Sequence, residues 1–274
     1  MTGGGATDAL SAAFDRALEQ RSGITAPSQY ALLAQRYLHE TDATEEGLAR
    51  IAVKNHRNAV NNPRAQYRRE INLETVLGSE YVAPPLKLFD CAPISDGAAA
   101  VLVTSEELAL DFVDGDERVR VPGVGASANN IAVAERDLTF VEGANVAATR
   151  AFEQAGLDAA DVDVAEVHDA FTVCEALLSE AVGFAPSGKG YESALEPGDC
   201  SSGWTDVRLS TSGGLKARGH PIGATGLAQA IEVYEQLTGT ATDERQVPDA
   251  DTGLLVNEGG VADAVTVSHV LTTE

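Results

Sequence analysis

Hydrophobic and polar positions recur with two different periods along the chain, and the change falls near residue 86. Before it, apolar residues return every three to four positions, which places them on one face of a helix. Asp8 to Gln20, Gln29 to Glu40 and Thr44 to Val60 each read as such a helix, the last stopping at Asn61-Asn62-Pro63, where proline cannot continue the ladder. From Leu86 onward, short apolar runs alternate with helical stretches. Ala98 to Thr104 is an apolar run of strand length, and Ser105-Glu-Glu-Leu offers a hydroxyl cap for a following helix. Arg118 to Ala126 reads as a strand, Gly143 to Gln154 as a helix closed by Gly156, and Val162 to Val167 as a strand entering a helix from Asp169 to about Val182. Residues 183 to 215 read as a long loop. A helix from near Gly223 to Leu237 precedes two strands, Gly253 to Val256 and Ala264 to Leu271, joined at Gly259-Gly260. This alternation indicates a layered α/β fold, in which ligands gather at the carboxyl ends of the strands.

Composition narrows the function class. The 274 residues suffice for one large domain or two ordinary ones, and apolar (44%) and charged (22%) contents are those of a globular chain. No apolar run approaches the roughly 18 residues that span a bilayer. Met1-Thr-Gly-Gly-Gly-Ala has neither the basic nor the apolar region of a secretory signal, so a cytoplasmic protein is expected. Nineteen basic against 42 acidic residues give a net charge of -23, which repels nucleic acid and anionic membrane and excludes both as expected partners. The basic residues are 15 Arg and 4 Lys. Dispersed carboxylates with few lysines suit a halophilic surface or, alternatively, an ordinary acidic enzyme. Cys91, Cys174 and Cys200 are odd in number and unclustered, so neither a disulfide framework nor a metal site is expected.

Three places carry chemistry. His168 stands where a strand ends and a helix begins, the position that faces the cleft of an α/β sheet. His220 lies in Ser212-Gly-Gly-Leu-Lys216-Ala-Arg218-Gly-His-Pro-Ile-Gly-Ala-Thr-Gly226, where five glycines surround one imidazole suited to proton transfer near neutral pH. Asn257-Glu-Gly259-Gly260 is a turn whose backbone N–H groups suit an oxyanion hole.

Asp90-Cys91-Ala-Pro-Ile-Ser-Asp96-Gly97-Ala-Ala-Ala, His168-Asp-Ala-Phe, Gly219-His220-Pro221 and Asn257-Glu-Gly-Gly, in this order, resemble the thiolase superfamily. Lys54-Asn-His56-Arg-Asn-Ala and Asn62-Pro63-Arg-Ala-Gln66 resemble its archaeal and sterol-carrier-type acetyl-CoA acetyltransferases. The resemblance spans essentially the whole chain. It implies a thiolase-like layered α/β/α/β/α fold with an incomplete N-terminal half: a helical loop or cap region at 1–87, the end of the N-terminal half at 88–116 and a complete C-terminal half at 117–274. It also implies Claisen chemistry on coenzyme A thioesters without a cofactor or metal, in which a cysteine thiolate takes the acyl group and an acyl-CoA enolate attacks it, or the reverse.

By this resemblance His220 activates the nucleophile and shares an oxyanion hole with His168, while the Gly259 N–H serves a second hole. Asn257 occupies the place of the family's acid/base cysteine and cannot exchange a proton, so it is expected only to line the substrate. Lys216 and Arg218 are expected as a cation pair for the anionic substrate. The nucleophilic cysteine of the family has no counterpart. It precedes a Glu-Lys-Met-Thr segment that Met1-Thr2 resembles, so the chain is expected to lack a domain-sized portion and to be inactive alone. Cys91 matches a structural position, Cys174 reads as a buried helix residue and Cys200 as incidental. The alternative is a non-catalytic thiolase-like subunit that binds acyl-CoA, or a partner supplying the cysteine. The implied partners are acyl-CoA, further copies of the chain as a homo-oligomer (a dimer in this family), and, as in the archaeal branch, a hydroxymethylglutaryl-CoA synthase joined through a small scaffold protein.

Overall fold

The computed structural model describes residues 10–112, 118–196 and 199–273. The helix start expected at Asp8 and the boundary expected near 116 lie outside the described residues.

The first part is helical. Helix α1 (Ala26–Glu40) starts with a proline in its first turn, where the missing N–H has no partner to lose. Helix α2 (Glu45–Ala59) starts where the Thr44 hydroxyl accepts the Gly47 N–H. A short α3 (Leu73–Leu77) and a hairpin of β1 (Tyr81–Ala83) and β2 (Leu86–Lys87) follow.

Two expected elements do not form. Through residues 12–19 the run expected as the first helix is a series of turns. Asp15 explains this: its carboxylate captures the N–H groups of Ala17 and Leu18, and its own N–H goes to the Glu19 carboxylate, so local side-chain bonds outcompete the helical ladder. The strand expected at Ala98–Thr104 is also absent, and that stretch is irregular, with Leu102 92% exposed and Val103 77%. An apolar run becomes a strand only where a neighbouring strand takes its backbone groups and a layer covers its side chains. The described residues supply neither. The helix capped by Ser105 forms, but only as the short α4 (Glu106–Ala109).

The later part is a five-stranded mixed sheet. Its strands are β3 (Arg120–Ala128), β4 (Val164–Glu166), β5 (Arg208–Leu209), β6 (Thr252–Gly259) and β7 (Val265–Thr272), in the order β3-β7-β6-β4-β5. Strand β4 runs parallel to β5 and β6, whereas β7 is antiparallel to β3 and β6. The helices are α5 (Glu142–Ala155), α6 (Thr172–Ala181), α7 (Gly214–Arg218) and α8 (Thr225–Leu237). Successive β6 side chains point to opposite faces. Leu254 and Val256 join Ala144 and Ala148 of α5 and Leu177 of α6 in the main core, while Leu255 meets Val233 and Leu237 of α8. The loop at 183–215 is less uniform than expected, since it contains β5 and the start of α7.

Strand β3 sits directly on α5. A Cβ added at Gly125 would fall inside the van der Waals shell of the Ala147 carbonyl oxygen, so only glycine allows this approach. Gly125→Ala is expected to destabilise the chain by about 3 kcal/mol through overpacking, read as a lower urea midpoint. An unchanged midpoint would mean that β3 and α5 are not seated in this way.

Candidate active site

The carboxyl ends of β4, β5 and β6 meet at one edge of the sheet, because these three strands run in the same direction. His168 lies two residues beyond β4. It is buried, and its Nδ1 accepts the backbone N–H of Glu258, at the end of β6, at 3.3 Å. With Nδ1 occupied as an acceptor, the neutral ring carries its proton on Nε2, so His168 is a hydrogen-bond donor. The next residue, Asp169, fixes the backbone here. Its carboxylate accepts the N–H groups of Leu215 (2.7 Å) and Lys216 (3.3 Å) and the Asn55 amide (2.7 Å). The φ of +59° at Gly214, and the contact any Cβ there would make with Asp169, leave room for this docking only at glycine.

His220 approaches from the turn between α7 and α8. Its N–H donates to the Ser95 hydroxyl at 3.0 Å, and its backbone bridges to Ile94. Its Nδ1 lies 2.8 Å from the Thr225 hydroxyl, which donates its own proton to the Pro221 carbonyl at 3.1 Å. The hydroxyl oxygen must therefore accept from Nδ1–H, leaving Nε2 with a free lone pair. The two rings meet edge to face, centroids 4.9 Å apart at 88°. Burial pushes the His220 imidazole down to about 4, aided by the Arg218 charge. Burial, then His220 and Arg218, hold His168 well below the usual histidine value. Both rings are thus neutral at pH 7, one offering a proton and the other able to take one.

The structure brings together His168, His220 and the end of β6, where Gly259 follows Glu258 directly. Asn257 is tied differently: its amide donates to Gln229 at 2.8 Å. Lys216 and Arg218, expected as a cation pair for the anionic substrate, are both buried, at 2% and 9% exposure. Lys216 turns toward the Phe89 ring, 5.7 Å from its centroid. Each of the three thiols is raised above the ordinary value. Burial, then Asp90, pushes Cys91 up to about 12, and its Sγ faces the Lys87 carbonyl. Burial, then Glu258, holds Cys174 well above the ordinary thiol value, and burial with Glu192 and Asp199 raises Cys200.

A thiolase C-terminal domain-like family model matches residues 125–273, and the thiolase N-terminal domain model matches residues 12–107. The chain belongs to the thiolase superfamily. It is 43% identical to an acetyl-CoA acetyltransferase of Methanothermobacter thermautotrophicus over 95% of its own length and 67% of that protein's. It is 36% identical to sterol carrier protein 2 of Oryctolagus cuniculus, spanning 88% of this chain and 45% of that relative. Among solved structures, the Ltp2-ChsH2(DUF35) aldolase shares the fold, with a TM-score of 0.76 at 24% identity over 89% of this chain and 62% of that one. The thiolase chain therefore spans about two thirds of one relative and under half of the other.

This thiolase scaffold holds more polar machinery than the histidine motifs announce. Thr225 sets the His220 tautomer, and its only sequence signal is its place five residues on, at the start of α8. Behind Asp169, the buried Glu175 carboxylate accepts Lys54 Nζ at 2.6 Å, Asn55 Nδ2 at 2.9 Å and the Ser193 and Ser210 hydroxyls at 2.7 and 3.2 Å. The Lys54-Asn55 pair quoted for the family resemblance is its one trace in the sequence.

Proposed function

We propose that this chain carries the histidine machinery of acyl transfer between coenzyme A thioesters, as in an acetyl-CoA acetyltransferase, and that it forms no acyl-enzyme by itself. One observation supports the reading above the rest: two neutral imidazoles in contact, with opposite free valences. His220 Nε2 is the base that takes a thiol proton, which makes the thiolate that attacks the thioester carbonyl. The acyl–sulfur bond to coenzyme A then breaks, and the departing thiolate recovers the proton from His220. His168 Nε2–H donates to the carbonyl oxygen as it gains charge, a contact worth roughly 3 to 4 kcal/mol in such sites. Gly259 N–H is the candidate donor for a second oxyanion. Asn257 is assigned to lining the substrate, with no acid/base part.

In this reading the attacking thiol comes from another polypeptide, which the raised Cys91, Cys174 and Cys200 support, since an activated nucleophile has a lowered thiol pKa. The same raised thiols favour a second reading, a non-catalytic subunit that binds acyl-CoA. Thiolysis of acetoacetyl-CoA separates the two. The purified chain alone is expected to give none. Activity should appear when a thiol-bearing thiolase N-terminal segment is added, and disappear with His220→Gln. A complemented His220→Gln variant as active as the parent would favour the non-catalytic subunit. Thiolysis by the lone chain, lost in Cys91→Ala or Cys174→Ala, would overturn the assignment of the thiol.

A further inference from the structure

Arg218 ends α7, two residues before His220, and its carbonyl accepts the Gln66 N–H at 2.9 Å, which fixes where its side chain starts. Its guanidinium is buried, yet both terminal nitrogens lack a hydrogen-bond partner among the described residues. The nearest carboxylate is Glu166, at 3.8 Å from Nη1, beyond hydrogen-bond reach. Glu166 instead accepts the N–H (3.0 Å) and hydroxyl (2.7 Å) of Ser212. It is the last residue of β4, two before His168. Glu232 on α8, whose charge acts on Glu166, is held by Arg245, the Thr211 hydroxyl and the Gln236 amide. A buried guanidinium with unfilled donors is costly, and a cost of this kind beside two reactive side chains points to a use.

We propose that Arg218 is a positioning residue: a buried, unpartnered positive charge two residues before His220 that helps keep both rings as neutral donor and acceptor and favours negative charge on a thioester oxygen bound beside them. This rests on the acyl-transfer reading of the site. Arg218 does not touch the substrate. Burial is the main reason that neither ring takes up a second proton, and the Arg218 charge adds to it; the same field stabilises an oxyanion or enolate beside the rings. Burial pushes the Glu166 carboxyl up to about 7, so at neutral pH it cancels the Arg218 charge only in part.

The probe is acetoacetyl-CoA. Loss of a proton to solvent from the carbon between its two carbonyls gives an enolate that absorbs in the near ultraviolet, so enolisation can be titrated spectroscopically with the protein in excess. The wild-type chain is expected to lower the enolisation midpoint by about one pH unit, a tenfold change in the equilibrium. Arg218→Gln should remove most of that shift, and Arg218→Lys should keep at least half of it. Glu166→Gln, which removes the partial counter-charge, should enlarge it. Circular dichroism and melting of each variant report whether it is folded. If the wild-type chain gives no shift, the acyl-transfer reading fails and this inference with it. A full shift in folded Arg218→Gln, or an undiminished midpoint in Glu166→Gln, overturns the role of Arg218 alone.

Discussion

Glu175→Ala is expected to lower the free energy of unfolding by about 3 to 5 kcal/mol, a large share of what a domain of this size has. Glu175 is fully buried, and four donors from three segments converge on it: Lys54 and Asn55 of α2, Ser193 of the long loop, and Ser210 just after β5. Removing the carboxylate leaves the Lys54 ammonium, itself 8% exposed, as a buried charge whose remaining hydrogen-bond acceptor among the described residues is the Leu209 carbonyl. It also frees Asn55, which bridges Glu175 to Asp169 beside His168. The paired replacement Lys54→Met with Glu175→Leu removes both charges together and should recover most of the loss, since a buried pair contributes less to stability than breaking it costs. Urea unfolding of the three proteins checks this. A single variant within about 1 kcal/mol of wild type would mean that Lys54 finds another anion.

Cys91 is expected to alkylate more than about a thousandfold more slowly in the folded chain at pH 7 than in the urea-unfolded chain. Only the thiolate reacts, and a rise from about 8.5 for a free thiol to about 12 lowers its population by that order. Burial is the main cause, and the neighbouring Asp90 adds to it, while Lys216 opposes both without prevailing. Cys174, deeper in α6, should be slower still. Iodoacetamide labelling followed by mass spectrometry gives both rates. Labelling of either residue at the rate of a free cysteine would mean that burial does not hold that thiol back, and labelling faster than a free cysteine would mean that this chain carries its own activated thiol.

What could be read in the sequence follows from how local its cause is. Helices α1 and α2 were legible because a repeated apolar face and a Thr cap sit within a few residues. The Gly156 end of α5 and the hairpin around Gly259-Gly260 were legible for the same reason. The segment at 12–19 has the right apolar spacing, but one aspartate competes for the backbone, and pattern alone does not weigh that competition. The run at 98–104 has strand composition, yet a strand depends on a neighbour far away in sequence. At the site, the two histidines were visible through their motifs. The direction of each ring was not, because it depends on the N–H of Glu258, 90 residues from His168, and on the second bond made by Thr225. The burial of Arg218 was hidden too, since loop arginines are ordinarily solvated.

The hydrogen bonds of His168 and His220 lock the two neutral rings as opposite tautomers. Nitrogen-15 NMR of the histidine-labelled chain, titrated from pH 8 to 5, reads the protonated nitrogen of each ring directly. The expected result is Nε2–H at His168 and Nδ1–H at His220, with His220 still neutral at pH 5 and His168 taking its second proton only below the usual histidine midpoint. Matching tautomers at the two sites, or a midpoint near 6.5 at either, would contradict it.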